Sequence, residues 1–176
     1  MPFLNPISII AILIAVSIHE WAHAMVATRL GDPTPGDAGR LSINPLAHLD
    51  ILGIVMFLTV GFGWAKPVPI NPSYFKNHKR DVCLTAIAGP LSNLVLAIIG
   101  LIGLRVLGEH AGLSAWDLLN VDGTGPVWSV FLIQLFGAMV FINLGLMAFN
   151  LLPIAPLDGS KVLEVFVPLR YSDQYD

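Results

Sequence analysis

The sequence predicts an all-α polytopic membrane protein with three core transmembrane helices and a re-entrant or short β element between the first and the second. Of its 176 residues, 55% are hydrophobic and only 12% are charged, and the mean hydropathy is +0.75. A soluble domain carries roughly 25% charged residues. Because the length suits one compact unit, we expect residues 1–176 to form a single membrane-embedded domain.

Three apolar segments are long enough to cross a bilayer, which takes about 20 helical residues. They cover residues 6–28, 82–106 and 127–152. A fourth apolar stretch, 51–64, has only about 14 residues, a length that favours a re-entrant or interfacial segment. Polar and apolar residues alternate in 39–44 and 66–70, which predicts a short strand on either side of that stretch. Pro67 and Pro69 would confine the second strand to a sheet edge.

The positions of the basic residues favour three crossings. If the stretch 51–64 does not cross, Arg105 alone among the nine Lys and Arg residues lies opposite to the others. Because loops rich in Lys and Arg stay in the cytoplasm, the N-terminus is expected outside the cell membrane. The ends of the first and the last span then lie together on the cytoplasmic side.

The segment His19-Glu20-Trp21-Ala22-His23 carries the clearest chemical signal, and it lies inside the first span. On a helix, His19 and His23 are one turn apart on the same face. This is the ligand pair of a zinc hydrolase, with Glu20 as its general base. Ionisable residues inside a span are costly and usually functional. The alternative is that the two histidines are hydrogen-bonded core residues.

Zinc needs a third protein ligand, and catalytic sites leave a fourth position for water. Cys83 is the only cysteine, so thiolate ligation is effectively excluded. The best candidate is Asp158, because Pro153 and Pro156 break the end of the last span just before it, on the side of the first span's histidines. Asp158 could instead cap a helix that begins at Gly159. The remaining histidines are expected in solvated loops or on the far side of the membrane: His48, His78 and His110.

Three motifs, in this order, resemble those of the site-2 proteases, which are zinc intramembrane metalloproteases. They are His19 to His23 in the first span, Gly89-Pro90-Leu91-Ser92-Asn93 in the second, and Asn150 to Gly159 at the end of the third. The order and spacing match over nearly the whole chain. The resemblance implies a zinc ion held by His19, His23 and Asp158, with Glu20 as the catalytic base.

The resemblance also implies that Asn93 and Asn150 support the substrate or its oxyanion near the metal. For both residues the alternative is simple hydrogen bonding between helices, which asparagines in membranes commonly supply. Gly89 is expected to allow close helix packing and to have no catalytic role.

The resulting hypothesis is hydrolysis of peptide bonds within or next to the transmembrane segments of other proteins. The expected partners are the lipid bilayer and single-span membrane substrates, which the resemblance suggests are anti-sigma factors, tethered transcription factors or remnant signal peptides. An edge strand near 68–71 would hold the extended substrate. No cluster of Lys and Arg residues indicates a nucleic-acid partner. The alternatives are a metal transporter that uses the same histidines and an inactive binding scaffold.

Overall fold

The computed structural model describes residues 5–61, 63–112 and 126–164. In chain order its helices are α1 (Pro6–Arg29), α2 (Thr34–Asp37), α3 (Pro45–His48), α4 (Ile51–Val60), α5 (His78–Ala111), α6 (Val127–Asn150) and α7 (Asp158–Glu164), with a 3₁₀ turn at Pro72–Tyr74. The helices α1, α5 and α6 are long and apolar enough to cross a membrane. The predicted core of three long helices is therefore confirmed.

The ends of the long helices follow their capping residues. The Asn5 side chain accepts a hydrogen bond from the Ser8 N–H at 2.7 Å, and Pro6 occupies the first turn of α1. Asn77 caps α5 in the same way, so this helix begins four residues before the predicted span. The last long helix ends at Asn150, ahead of Pro153 and two residues before the predicted end.

The three long helices pack against one another around small and polar side chains. Helix α5 contacts both α1 and α6, α1 also contacts α6, and the short α7 packs on α5. Alanines fill much of the buried face of α1: Ala11, Ala15, Ala22, Ala24 and Ala27. Small residues at helix contacts and large apolar residues on the outer faces are typical of membrane helices, because lipid tails solvate the large side chains well.

The structure supports neither a re-entrant segment nor short strands between the first two long helices. Residues 51–60 form α4, whose ten residues rise about 15 Å, half of a hydrocarbon core of about 30 Å. Among the described residues there is no strand, and the only pairing of this kind is an isolated bridge between Leu49 and Ala65. The prediction of strands at 39–44 and 66–70 is therefore wrong.

Side chains and prolines take the place of strand pairing in both segments. In the first, the Ser42 Oγ accepts the Asn44 N–H, and the Asn44 Oδ1 accepts the Leu46 N–H, both at 3.1 Å. Such local bonds compete with a strand ladder. In the second, Pro67 and Pro69 have no N–H to donate. The alternation of polar and apolar residues in these two segments thus arises from turn residues, cap residues and prolines, and not from strands.

Candidate metal centre

The three predicted ligand residues converge between α1 and α7. The Nε2 atoms of His19 and His23 lie 3.0 Å apart. The Oδ2 atom of Asp158 lies 3.3 Å from the His19 Nε2 and 3.2 Å from the His23 Nε2. Tetrahedral ligand atoms 2.0–2.1 Å from a zinc ion are roughly 3.3 Å apart. The three atoms therefore form a triangle of the size that one zinc ion requires.

The outer ring nitrogens of both histidines are held by α5. The His19 Nδ1 donates to the Asn93 Oδ1 at 2.6 Å, and the His23 Nδ1 donates to the backbone carbonyl of Thr85 at 2.7 Å. In a neutral imidazole, a hydrogen on Nδ1 leaves a lone pair on Nε2. Both Nε2 atoms thus present lone pairs to Asp158, in the arrangement that a bound metal needs.

The orientation of the Asn93 amide is set by the backbone carbonyl of Met139, which acts through the side chain of Asn143. The Asn143 Nδ2 donates to the carbonyl of Met139 at 2.8 Å, so the Asn143 Oδ1 must face Asn93. The Asn93 Nδ2 donates to that oxygen, also at 2.8 Å, and this leaves the Asn93 Oδ1 for His19. Because Asn93 and Asn143 are fully buried, this chain of hydrogen bonds connects α1, α5 and α6 without water.

The Asp158 carboxylate completes a cluster that suits a cation. Its Oδ2 is buried and has no hydrogen-bond partner among the described residues. Three atoms with lone pairs within about 3 Å of one another repel unless a cation lies between them.

Two glycines allow the close approaches that build the cluster. A Cβ atom on Gly89 would lie 2.3 Å from the His23 Nε2 and 2.6 Å from the His19 Nε2, so both imidazoles rest directly on the α5 backbone. A Cβ on Gly159 would lie 2.3 Å from the carbonyl oxygen of Leu151, at the end of α6. Gly89 is thus the floor of the site, and Gly159 lets α7 bring Asp158 against α1.

The cluster opens into a cavity of about 1100 Å³. Its lining includes Glu20, Val68, Phe149, Asn150 and Asp158, from four different parts of the chain. The Glu20 Oε2 accepts a hydrogen bond from the Val68 N–H at 3.2 Å. A carboxylate beside three metal-ligand atoms, at the edge of a cavity large enough for a peptide segment, fits the chemistry of metal-assisted hydrolysis.

Comparison with known proteins agrees with this geometry. Residues 53–173 match the model of peptidase family M50, and a Bacillus subtilis protein printed as "Putative zinc metalloprotease YwhC" is 42% identical over 94% of this chain. The chain belongs to peptidase family M50. The resemblance to site-2 proteases is therefore confirmed.

Two further relatives are also described as "Putative zinc metalloprotease". They are Rip2 of Mycolicibacterium smegmatis, 30% identical over 86% of this chain, and MJ0611 of Methanocaldococcus jannaschii, 31% identical over 90%. The chain spans 71% of the length of YwhC and 69% of MJ0611, but only 54% of Rip2. No solved structure matches the chain significantly.

The other predicted residues of this M50 chain lie at different distances from the centre. Asn93 contacts His19 directly, whereas Asn150 lines the cavity and donates its own amide to the Leu146 carbonyl at 3.0 Å. His48 was expected in a solvated loop, but it is fully buried, with its Nε2 bonded to the Ser42 carbonyl at 2.6 Å. Asp158 is the first residue of α7.

Thr85 and Asn143 were not predicted to contact the site, and the Val68 amide was predicted to bond to a substrate and not to Glu20. Thr85 and Asn93 are eight residues apart with Gly89 midway, so all three share one face of α5. Once Gly89 and Asn93 are placed on a helix, this spacing predicts that Thr85 lies on the same face. The Val68 amide carries no such signal, because its contact with Glu20 joins a loop to a helix 48 residues away.

Proposed function

We propose that this protein is a zinc-dependent intramembrane endopeptidase that hydrolyses peptide bonds within or next to the membrane-spanning segments of other proteins. The observation that carries this proposal is the triangle of His19, His23 and Asp158 beside Glu20, on a helix apolar enough to cross a membrane. The printed names of the relatives support zinc as the metal. Membership of family M50 supports peptide hydrolysis.

Each residue of the centre has a defined task in this mechanism. His19, His23 and Asp158 would hold the zinc ion, which when bound polarises the scissile carbonyl and lowers the pKa of a bound water toward about 7. Glu20 would accept a proton from the attacking water as the new carbon–oxygen bond forms. It would then deliver that proton to the amine that leaves when the carbon–nitrogen bond breaks.

Asn150 would support the oxyanion from the opposite wall of the cavity. Its side-chain amide now donates to the Leu146 carbonyl, so this role requires the amide to turn toward the substrate. Asn93 would act differently, because its oxygen is already bonded to His19. We assign Asn93 to the orientation of a metal ligand, a task that outer partners of metal-bound histidines commonly perform.

The depth of the site determines what a substrate must do. His19 is ten residues from the end of α1 at Arg29, or about 15 Å along the helix axis. A substrate helix at that depth keeps its carbonyls in internal hydrogen bonds. It would have to unwind before one carbonyl could enter the cavity, so Gly, Pro or Asn near the cleaved bond should favour cleavage.

The distribution of Lys and Arg residues supports a cytoplasmic orientation of the centre in the cell membrane. Single-span membrane proteins such as anti-sigma factors, tethered transcription factors or remnant signal peptides are the proposed substrates. A metal transporter is less well supported, because the buried polar side chains Asn93 and Asn143 bond to each other instead of leading away from His19.

Glu20→Gln tests the proposal most directly. The amide cannot accept the proton from water, so cleavage should fall by at least about 1000-fold while zinc content stays near one ion per chain. The measurement uses purified protein in detergent, elemental analysis for zinc, and a panel of single-span reporter proteins with Gly or Pro near the cytoplasmic end of the span.

Asp158→Asn is the matched variant for the metal. Removal of the anionic ligand should reduce both zinc content and cleavage, whereas Glu20→Gln should reduce cleavage alone. Normal cleavage by Glu20→Gln would remove the proposed base. Unchanged zinc affinity in Asp158→Asn would exclude the third ligand.

A further inference from the structure

A short loop segment lines the same cavity as the metal centre and contacts Glu20. We call residues 66–70 the strap; their sequence is Lys-Pro-Val-Pro-Ile. The Lys66 N–H donates to the His48 carbonyl at 2.9 Å, which fixes one end. Just beyond the other end, the Asn71 N–H donates to the Asp32 Oδ2 at 2.7 Å. Because His48 and Asp32 are both fully buried, both anchors lie in the packed interior of the molecule.

Between these anchors, Val68 presents its backbone amide to Glu20. Its N–H lies 3.2 Å from the Glu20 Oε2, and the Val68 residue is 9% exposed. Pro67 and Pro69 have no N–H. The Val68 amide is therefore the only backbone donor in the middle of the strap, and no neighbouring amide can compete for the carboxylate.

We infer that the strap positions the Glu20 carboxylate through the Val68 amide, so that Oε2 is held and Oε1 remains free to take the proton from water. This inference rests on the proposed role of Glu20 as general base. A glutamate side chain has several rotatable bonds, and a single fixed donor removes much of that freedom. A general base must lie within hydrogen-bond reach of its proton, so a free carboxylate would spend less time in the reactive position.

The strap thus has a task other than the one predicted from its sequence. An edge strand would offer its amides to an extended substrate, but Pro67 and Pro69 have none and the Val68 amide is already bonded to Glu20. The strap backbone therefore serves the base and is not available to pair with a substrate.

Replacement of the Val68 amide by an ester tests this assignment without changing any side chain. The α-hydroxy analogue of valine at position 68 removes the N–H that contacts Glu20. The matched control is the corresponding ester at Ile70, which also follows a proline but whose N–H has no acceptor within the described residues. On the reporter that wild type cleaves best, we expect kcat to fall about 10-fold or more at position 68 with KM within twofold. The Ile70 ester should match wild type.

A spectroscopic readout makes the test independent of turnover. The chain has three glutamates, Glu20, Glu109 and Glu164, so glutamate labelled with ¹³C at the side-chain carboxyl gives at most three antisymmetric carboxylate stretching bands in the infrared spectrum. Glu20→Gln identifies the band of Glu20. We expect that band to move in the Val68 ester and to stay in place in the Ile70 ester, with equal zinc content in both.

The outcomes separate the inference from the proposed function. An unchanged Glu20 band and an unchanged kcat in the Val68 ester would overturn the inference, even if Glu20→Gln is inactive. Normal cleavage by Glu20→Gln would instead overturn the proposed function. In cells, Val68→Pro removes the same N–H and Val68→Ala keeps it; loss of cleavage in both variants would indicate a side-chain role and contradict the inference.

Discussion

The contact between α1 and α5 and the short helix α4 differ in how their residues are held. At the contact, His19 and His23 are 7% and 6% exposed, and each ring nitrogen that faces α5 has a defined acceptor. On α4, Ile51 is 82% exposed and Leu52 is 61% exposed, whereas Gly53 packs against the backbone of Trp64. Buried polar partners fix the metal geometry, whereas α4 exposes large apolar side chains.

This difference separates residues that determine zinc binding from residues that face lipid or substrate. Substitutions at the α1–α5 contact should change zinc binding, because the two ligands rest on α5 and are oriented by it. Substitutions on α4 should leave zinc unchanged and act, if at all, on the encounter with lipid or substrate. Three variants test this separation in order of decreasing effect.

Gly89→Ala should disrupt the packing of His19 and His23 on α5. The added Cβ would lie 2.3 Å from the His23 Nε2, so at least one imidazole must leave its position. We expect zinc affinity to fall more than 10-fold and cleavage more than 100-fold, because small displacements of reacting groups are costly. The control is Gly137→Ala on α6, where the added Cβ meets nothing within 4 Å. Full zinc content in Gly89→Ala would show that the ligands do not rest on α5.

Asn93→Ala tests the difference between the two histidines, since His19 bonds to a side chain and His23 bonds to the backbone. It removes the acceptor of the His19 Nδ1, and loss of such outer partners typically weakens metal binding 10- to 100-fold. Thr85→Val should leave zinc affinity unchanged, because the acceptor for His23 is the backbone carbonyl of Thr85. Competition with a zinc chelator measures both constants. Equal effects of the two substitutions would contradict the assignment of these hydrogen bonds.

Leu52→Ser should have the smallest effect. Its side chain is exposed on α4, away from every ligand, so zinc content should stay at the wild-type value. The free energy of unfolding in detergent should change by no more than about 0.5 kcal/mol, as is usual for exposed positions. Zinc analysis and thermal unfolding check both points. A loss of zinc in this variant would mean that α4 supports the metal centre.

The metal residues were more predictable than the segments around them, for a physical reason. His19 and His23 are joined by helical spacing, and the packing of the three long helices brings the end of α6, and with it Asp158, close to α1. The contacts of Thr85 and Asn143 follow from helix faces only after the helices are paired. The strap depends on single backbone hydrogen bonds and on two prolines, and these leave no periodic pattern in the sequence.

The ligands also lie far apart along the chain, and this has a consequence for biogenesis. His19 and His23 are made within the first 23 residues, whereas Asp158 follows the last of the three long helices. Because ribosomes synthesise and release the chain from its N-terminus, α1 would enter the bilayer well before the third ligand exists. A partly inserted chain would hold two neutral ligands and no carboxylate partner for them. The three proposed ligands would therefore be present together only after the last of the described long helices has been synthesised.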